Sequence, residues 1–225
     1  MQISVIIPAL NEAESIGLVI GRIPREFDLE ILVVDSSSSD GTPEIAMAAG
    51  AQVVYEPRRG YGQACATGLE AAQGEVVVYL DADGADDPQH LPALALPVLS
   101  GEADMVLGSR LAGGMDPGAM PWHQHAGNWL AAQLINRLYG IRLSDLGPIR
   151  AVRRENLLQL GLREMTYGWP TEMIVKAARA GWKIKEIPVS YHPRIGGRSK
   201  ISGTVRGTVS ATFFILRTIL HYAWT

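Results

Sequence analysis

Two carboxylates one residue apart, Asp81 and Asp83, close the apolar run Val76-Val77-Val78-Tyr79-Leu80. A hard divalent cation such as Mg²⁺ or Mn²⁺ takes oxygen ligands, keeps several waters, and is commonly held by one or two carboxylates plus phosphate oxygens. An Asp-x-Asp at a strand end supplies that minimum, and the chemistry it suits is holding the metal against the diphosphate of a nucleotide-sugar. The same residues also suit a plain turn, because Asp and Gly dominate turns and Asp86-Asp87-Pro88 follows directly.

Other polar segments stand at equivalent positions. Pro8-Ala9-Leu10-Asn11-Glu12 follows one apolar run, and Asp35-Ser36-Ser37-Ser38-Ser39-Asp40-Gly41-Thr42 follows the next. Asp35 at a strand terminus can accept from a base N–H or a ribose hydroxyl. It can equally open a turn while Ser39 to Thr42 cap the next helix. Gly60-Tyr61-Gly62-Gln63-Ala64-Cys65 is a near miss for the dinucleotide fingerprint, lacking the third glycine and following the third strand rather than the first. Arg58-Arg59 just before it, beside a helix N-terminus at Gly62, could meet a phosphate; solvated surface arginines are the ordinary alternative. His123 and His125 lie two apart on one helix, where side chains diverge, which argues against a shared metal.

These groups need a frame that gathers them. Short apolar runs at Ile3 to Ile7, Glu30 to Val34, Gln52 to Tyr55, Val76 to Leu80 and Met105 to Leu107 alternate with helical segments near Ala13 to Arg22, Pro43 to Ala49, Gly62 to Ala72 and Pro88 to Leu99. That order specifies an α/β protein with a mostly parallel central sheet flanked by helices. Thr42-Pro43 and Asp87-Pro88 place proline at the first helical position, so strand ends run into helix starts. Ligands of such sheets bind beyond the carboxyl ends of the strands, where every group named above falls. A Gly/Pro loop, Ala112 to Pro121, leads to a long helix from Trp122 to Tyr139. Beyond it we expect a strand at Ile149 to Val152, helices at Arg154 to Leu160 and Thr171 to Ala180, a stop at Gly181, and a strand at Lys183 to Val189.

Composition narrows the classes. The chain has 225 residues, 47% hydrophobic and 19% charged, which fits one domain, 1–225, with a substantial core. Its formal net charge of -3 argues against a general nucleic-acid binder. Charge is uneven: no acidic residue follows Glu186, whereas Arg194, Arg198, Lys200, Arg206 and Arg217 do, so this tail should attract phosphate groups or an anionic membrane surface. The single Cys65 excludes an internal disulfide and suggests a reducing, cytoplasmic setting. Met1 to Pro8 reads as an opening strand rather than a secretory signal. Thr208 to Thr225 is the most apolar stretch, but Arg217 and His221 interrupt it short of a spanning helix. Helical, basic and ending in aromatics, residues 206–225 suit a peripheral membrane interface, or packing on the domain or a second subunit.

Taken in order, Val5-Ile6-Ile7-Pro8-Ala9-Leu10-Asn11-Glu12, Val33-Val34-Asp35 with Ser39-Asp40-Gly41-Thr42, Asp81-Ala82-Asp83, Gly108-Ser109-Arg110 and Gly196-Gly197-Arg198-Ser199-Lys200 resemble the family 2 inverting glycosyltransferases. The nearest branch is that of dolichol-phosphate mannosyltransferase and other polyprenyl-phosphate glycosyltransferases. The resemblance covers nearly the whole chain. It implies a GT-A fold whose Rossmann-like half, 1–110, binds a nucleoside-diphosphate sugar and whose second half, 111–205, binds the acceptor. It implies that Pro8, Ala9, Glu12 and Asp35 contact the nucleoside, and that Asp81 and Asp83 hold Mg²⁺ or Mn²⁺ on the diphosphate. Asp83 and Arg110 would be catalytic. Arg110, Arg194, Arg198 and Lys200 would bind phosphate, in this branch that of a polyprenyl acceptor.

The chain departs from the family pattern at Ser36, where many relatives carry a second Asp, and at Gly84-Ala85, where the lipid-linked mannosyltransferases carry Leu-Gln. Asp86 is the candidate to compensate there for a lost metal or donor contact. His125 stands where a basic residue is expected, and Asp145-Leu146-Gly147-Pro148-Ile149-Arg150 replaces an acidic-Ser-Gly-Phe-Arg segment. A phosphate monoester acceptor, with a second pKa of ~6, needs no general base. A hydroxyl acceptor would need one, for which Glu172 is a candidate, although an acid at a helix start commonly serves the dipole. A sugar-1-phosphate nucleotidyltransferase is disfavoured because Pro8 to Glu12 lacks a Gly-rich, Arg-containing loop. A nonenzymatic nucleotide-sugar binder is the remaining alternative.

Overall fold

The computed structural model describes residues 2–197 and 205–224. Seven strands form one sheet: β1 (Ile3–Ala9), β2 (Leu29–Asp35), β3 (Gln52–Tyr55), β4 (Val76–Tyr79), β5 (Met105–Ser109), β6 (Arg150–Arg153) and β7 (Ile184–Pro188). Their order is β3-β2-β1-β4-β6-β5-β7. Every pairing is parallel except those of β6, which runs antiparallel to both β4 and β5. Register places Ala9 beside Asp35 and Ile6 beside Tyr79, so the first, second and fourth strands finish together at one end of the sheet.

Alternation along the strands divides the core. Ile3, Val5 and Ile7 of β1 and Val76 and Val78 of β4 face a cluster containing Ile16, Val19 and Ile20 of α1 (Ile16–Arg22), Ala46 of α2 (Thr42–Ala48) and Leu91, Leu94 and Val98 of α4 (Leu91–Leu99). Ile6, Val77 and Tyr79 face the opposite cluster. It contains Cys65 and Leu69 of α3 (Tyr61–Ala71), Ile135 of α5 (Trp122–Tyr139), Leu157 of α6 (Arg154–Gln159), Trp169 and Met173 of α7 (Trp169–Arg179) and Ile219 of α8 (Val205–Trp224). Strands apolar on both faces are what a sheet covered by helices requires.

Two helices differ most from the sequence reading, for local reasons. α1 starts at Ile16 rather than near Ala13, because the amides of Glu12 and Ala13 are drawn sideways to Thr42 Oγ1 (2.9 Å) and Asp40 Oδ2 (3.1 Å). The stretch Pro88 to Leu99 is a 3₁₀ turn, Pro88–His90, followed by α4. Pro92 has no N–H to give the carbonyl of Pro88, so one continuous α-helix cannot form there.

Among the described residues no helix is long and apolar enough to cross a membrane. α8 buries Ala211, Thr218 and Ile219, and fastens to the body through Tyr139 Oη to Ile219 O (2.5 Å), Arg179 Nη1 to Tyr222 O (2.8 Å) and Tyr222 Oη to Glu172 Oε1 (2.5 Å). Its opposite side exposes Val209, Phe213, Leu216, Leu220 and Trp224.

Candidate active site

The loops after β1 and β2 lock together before any ligand is considered. Asn11 N donates to Ser38 Oγ (2.8 Å) and Asn11 Oδ1 accepts from Ser39 N (2.9 Å), while Asn11 and Ser37 hold positive φ angles of 51° and 66°. Left-handed non-glycine residues cost energy and concentrate at functional ends of folds. Asp40 accepts from Thr42 N (3.1 Å) as well as from Ala13, so one carboxylate caps α2 and ties the two loops. These contacts hold Asp40 below its ordinary pKa against the opposing effect of burial.

Asp35 is 1% exposed. Its Oδ2 accepts from Ser38 N (3.1 Å), the turn role, whereas Oδ1 is buried with no partner among the described residues. A buried acceptor left unpaired costs about 1–3 kcal/mol, so this atom is suited to a ligand N–H or O–H.

A cleft of about 460 Å³ opens beside these loops. Pro8, Ala9, Leu10, Glu12 and Ser36 from the loops after β1 and β2, Asp81 and Asp83 after β4, and Arg59, Gly60, Tyr61, Thr166, Tyr167, Arg194 and Phe214 line it. Asp81 accepts a hydrogen bond from Tyr61 Oη (2.9 Å) and is pushed up to about 6 by burial and the adjacent Asp83 charge. Two carboxylates side by side in a cleft, one of them raised by burial and by the charge of the other, form a donor set suited to a divalent cation. No group of three or more metal-ligating side chains occurs among the described residues. A cation at the diad would therefore complete its shell with ligand oxygens and water.

The arginines separate by role. Arg194 Nη2 donates to Glu12 Oε2 (2.7 Å), and its Nη1 lies 3.8 Å from Asp83 Oδ2. The segment carrying it is pinned over the diad by Ile195 N to Asp83 O (2.9 Å) and His192 N to Ala85 O (2.8 Å). Gly84, at φ 74°, makes this possible: a Cβ there would come within 2.4 Å of Ile195 Cδ1. Arg59 is exposed at the cleft, but Arg58 folds back onto Glu56, with Nε and Nη2 at 2.8 and 2.7 Å. The start of α3 is likewise committed, since Gly62 N and Gln63 N donate to Thr166 O and Met165 O. Gly60-x-Gly62 thus serves close packing: a Cβ on Gly62 would lie 2.5 Å from Glu164 O.

Arg110 is 5% exposed and outside the cleft lining. Its Nε and Nη2 are held by Asp145 at 2.7 and 2.9 Å, and its guanidinium stacks 5.1 Å from the Tyr191 ring centroid. Burial opposes its charge, and Asp145 more than offsets that. Asp86 is buried, with both carboxylate oxygens unpartnered among the described residues; burial and the Asp81 charge push it well above the carboxylate range. It is not among the residues lining the cleft. Glu172 is also elsewhere: it accepts from Arg163 N, Glu164 N, Lys176 Nζ and Tyr222 Oη, joining α7 to α8. His123 and His125 are exposed in the first turn of α5. Arg198 and Lys200 lie outside the described residues.

Sequence reasoning passed over Tyr61, Thr166, Tyr167 and Phe214. Tyr61 carried one usable signal, an aromatic hydroxyl between two glycines just before a helix; the other three carried none.

Comparison with known proteins bears on this geometry. The model of Glycosyl transferase family 2 matches residues 4–161. The chain is 41% identical over 210 residues to an uncharacterized glycosyltransferase of Mycobacterium tuberculosis, covering 93% of this chain and 94% of the relative. It is 34% identical over 197 residues to a dolichyl-phosphate hexose transferase of Haloferax volcanii, covering 86% and 84%. Among solved structures, glucosyl-3-phosphoglycerate synthase from M. tuberculosis, in complex with Mn²⁺, uridine diphosphate and glucosyl-3-phosphoglycerate, superposes with a TM-score of 0.77 at 28% identity, over 99% of this chain and 80% of the other.

Proposed function

The chain belongs to glycosyl transferase family 2, and on that premise we propose that it moves a hexose, with inversion, from a nucleoside diphosphate to a polyprenyl phosphate. The observation that carries this reading is Asp81-Ala82-Asp83 lining a cleft that also presents Arg59 and Arg194. An enzyme of this family has a hexosyl donor to bind and an anionic leaving group to stabilise.

Asp35 Oδ1 takes a hydrogen bond from the nucleoside, while Pro8, Ala9 and Glu12 form the adjoining wall. Mg²⁺ or Mn²⁺ at Asp81 and Asp83 would neutralise the leaving diphosphate. Tyr61 orients Asp81 through its hydroxyl, leaving the carboxylate free to face the cleft. Arg194 exchanges its contacts with Glu12 and Asp83 for phosphate oxygens, and Arg59 adds a second cation. Arg110 acts through Asp145 and Tyr191, shaping the end of β5 and adding positive field near the diad. A phosphate acceptor enters largely as the dianion near neutral pH and needs no dedicated base. The carboxylate weighed for a hydroxyl acceptor, Glu172, is fully engaged in joining helices, which favours the phosphate acceptor. The exposed stripe of α8, with Phe214 of the same helix at the cleft, suits a protein that meets its lipid substrate at a membrane interface.

A phosphorylated hydroxy acid is the second reading, because the solved synthase holds glucosyl-3-phosphoglycerate. Calorimetric titration with UDP-glucose and GDP-mannose, each with and without Mn²⁺, followed by transfer assays on undecaprenyl phosphate and 3-phosphoglycerate, separates the two. Metal-dependent binding of one donor and transfer to undecaprenyl phosphate is expected. Transfer to phosphoglycerate alone would replace the acceptor, and no donor binding would remove the reading.

A further inference from the structure

A second cavity of about 460 Å³ lies between the turn after α6, the helix α7 and the helix α8. Arg163, Lys176, Arg217 and His221 contribute to its wall, with Glu164 as its one acidic group. None of these residues lines the donor cleft. The charges are not balanced in place. Lys176 is committed, its Nζ reaching Gly161 O (2.7 Å), Leu160 O (3.2 Å) and Glu172 Oε1 (3.0 Å). Glu164 turns Oε1 to the amide and hydroxyl of Thr166 (3.1 and 2.6 Å). The guanidinium groups of Arg163 and Arg217 are exposed, and among the described residues neither is paired with a carboxylate.

We infer that this cavity is a phosphate-binding site separate from the donor cleft, in which Arg163 and Arg217 grip the anion between α8 and the turn after α6. Guanidinium forks match phosphate oxygens in bidentate geometry, and Lys176, its Nζ 5.1 Å from the Tyr222 ring centroid, adds a further positive charge to the wall. The phosphate can arrive free or as the headgroup of an anionic lipid. At a rotation of about 100° per residue, Arg217 and His221 border the stripe of Val209, Phe213, Leu216, Leu220 and Trp224, so a headgroup in the cavity would leave its chains beside that apolar surface. Of the basic tail noted in the sequence, Arg194 goes to the donor cleft and Arg217 to this cavity.

The test uses the full chain and two probes, inorganic phosphate by calorimetry and vesicles of phosphatidylglycerol with phosphatidylcholine by co-sedimentation. R163Q/R217Q removes both forks, R163K/R217K keeps the charge without the fork, and R59Q/R194Q disables the donor cleft instead. Both pocket residues are exposed, and thermal melts verify that the variants fold. Saturable phosphate binding weakened about tenfold or more in R163Q/R217Q, weakened in R163K/R217K and retained in R59Q/R194Q, supports a site for the free anion. The same pattern seen only with phosphatidylglycerol vesicles supports the lipid headgroup. Binding of neither probe, binding unchanged in R163Q/R217Q, or full binding in R163K/R217K would overturn the site, the last by showing diffuse charge attraction. Titration of donor and Mn²⁺ into R163Q/R217Q reads the active site independently.

Discussion

The two ends of the parallel sheet treat buried carboxylates in opposite ways. At the amino end of β2, Glu30 accepts from Ser4 Oγ (2.5 Å) and Gln73 N (2.7 Å), and Ser4 Oγ in turn accepts from Gly74 N (2.7 Å). At the carboxyl end of the same strand, Asp35 leaves one oxygen unpaired among the described residues. Nearby, Asp81 is raised by burial and by Asp83. A folded chain has no reason of its own to leave an acceptor unpaired or to crowd two carboxylates, because partners for Glu30 were available and were used. An unpaired acceptor and a crowded carboxylate pair at one end of the sheet suit a place where a ligand completes the structure. Glu30 serves stability; in the proposed function Asp35, Asp81 and Asp83 serve a ligand instead.

The sharpest break of that contrast is Asp83→Ala. Transfer should fall by about a thousandfold or more, since several kcal/mol of charge stabilisation goes with the metal. The thermal midpoint should hardly move, because the Asp83 carboxylate accepts from Ala85 N and otherwise meets Arg194 only at 3.8 Å, an arginine already paired with Glu12. Activity near that of the unaltered protein would end the metal assignment. Glu30→Ala should do the reverse. Losing the acceptor of Ser4 and Gln73 should cost about 2–3 kcal/mol in urea unfolding, with donor affinity per folded molecule unchanged. A donor effect there would erase the distinction between the ends.

Asp35→Asn is subtler. The turn to Ser38 survives, while nucleoside affinity measured by calorimetry should drop about tenfold, the value of one charge-assisted hydrogen bond. Stability equal to or above that of the unaltered chain is expected.

The smallest effect is in pH. Asp81 titrates near 6 when folded, against an ordinary value of 3.8. The metal-free fold therefore binds a proton more readily than the unfolded chain between those values. On account of this group its stability rises as pH falls through about 6 toward 4. Metal requires the ionised form, so Mn²⁺ affinity should decline below about pH 6, by up to about tenfold per unit. Thermal melts with and without Mn²⁺ should converge at acid pH; a Mn²⁺ shift that persists unchanged to pH 4.5 would place the metal elsewhere.

Much of the fold was legible because its signals are local. Ile3 to Ile7, Val76 to Leu80 and Met105 to Leu107 are apolar runs that can only be buried strands in an alternating chain, and Thr42-Pro43 marks a helix start wherever it stands. The Asp-x-Asp was legible for the same reason, since residue type and position at a strand end are both written within nine residues. The α1 start was not, because it is decided by Asp40 and Thr42 reaching across from another loop.

Charge pairing was the least legible part. Arg58, Arg59, Arg110 and Arg194 look alike in sequence, yet Arg58 closes on Glu56, Arg110 on Asp145 and Arg194 on Glu12 across 182 positions, while Arg59 stays exposed at the cleft. Glu172 read as a possible base and proved to be a joint between helices. The sequence by itself determined the α/β frame, the family and the metal-suited diad, because hydrophobic periodicity and short-range spacing follow the chain. Only the tertiary structure decided which arginines line the cleft and where a second basic cavity forms. A guanidinium's role is set by the nearest carboxylate in space, and folding chooses that neighbour from residues far apart in the chain.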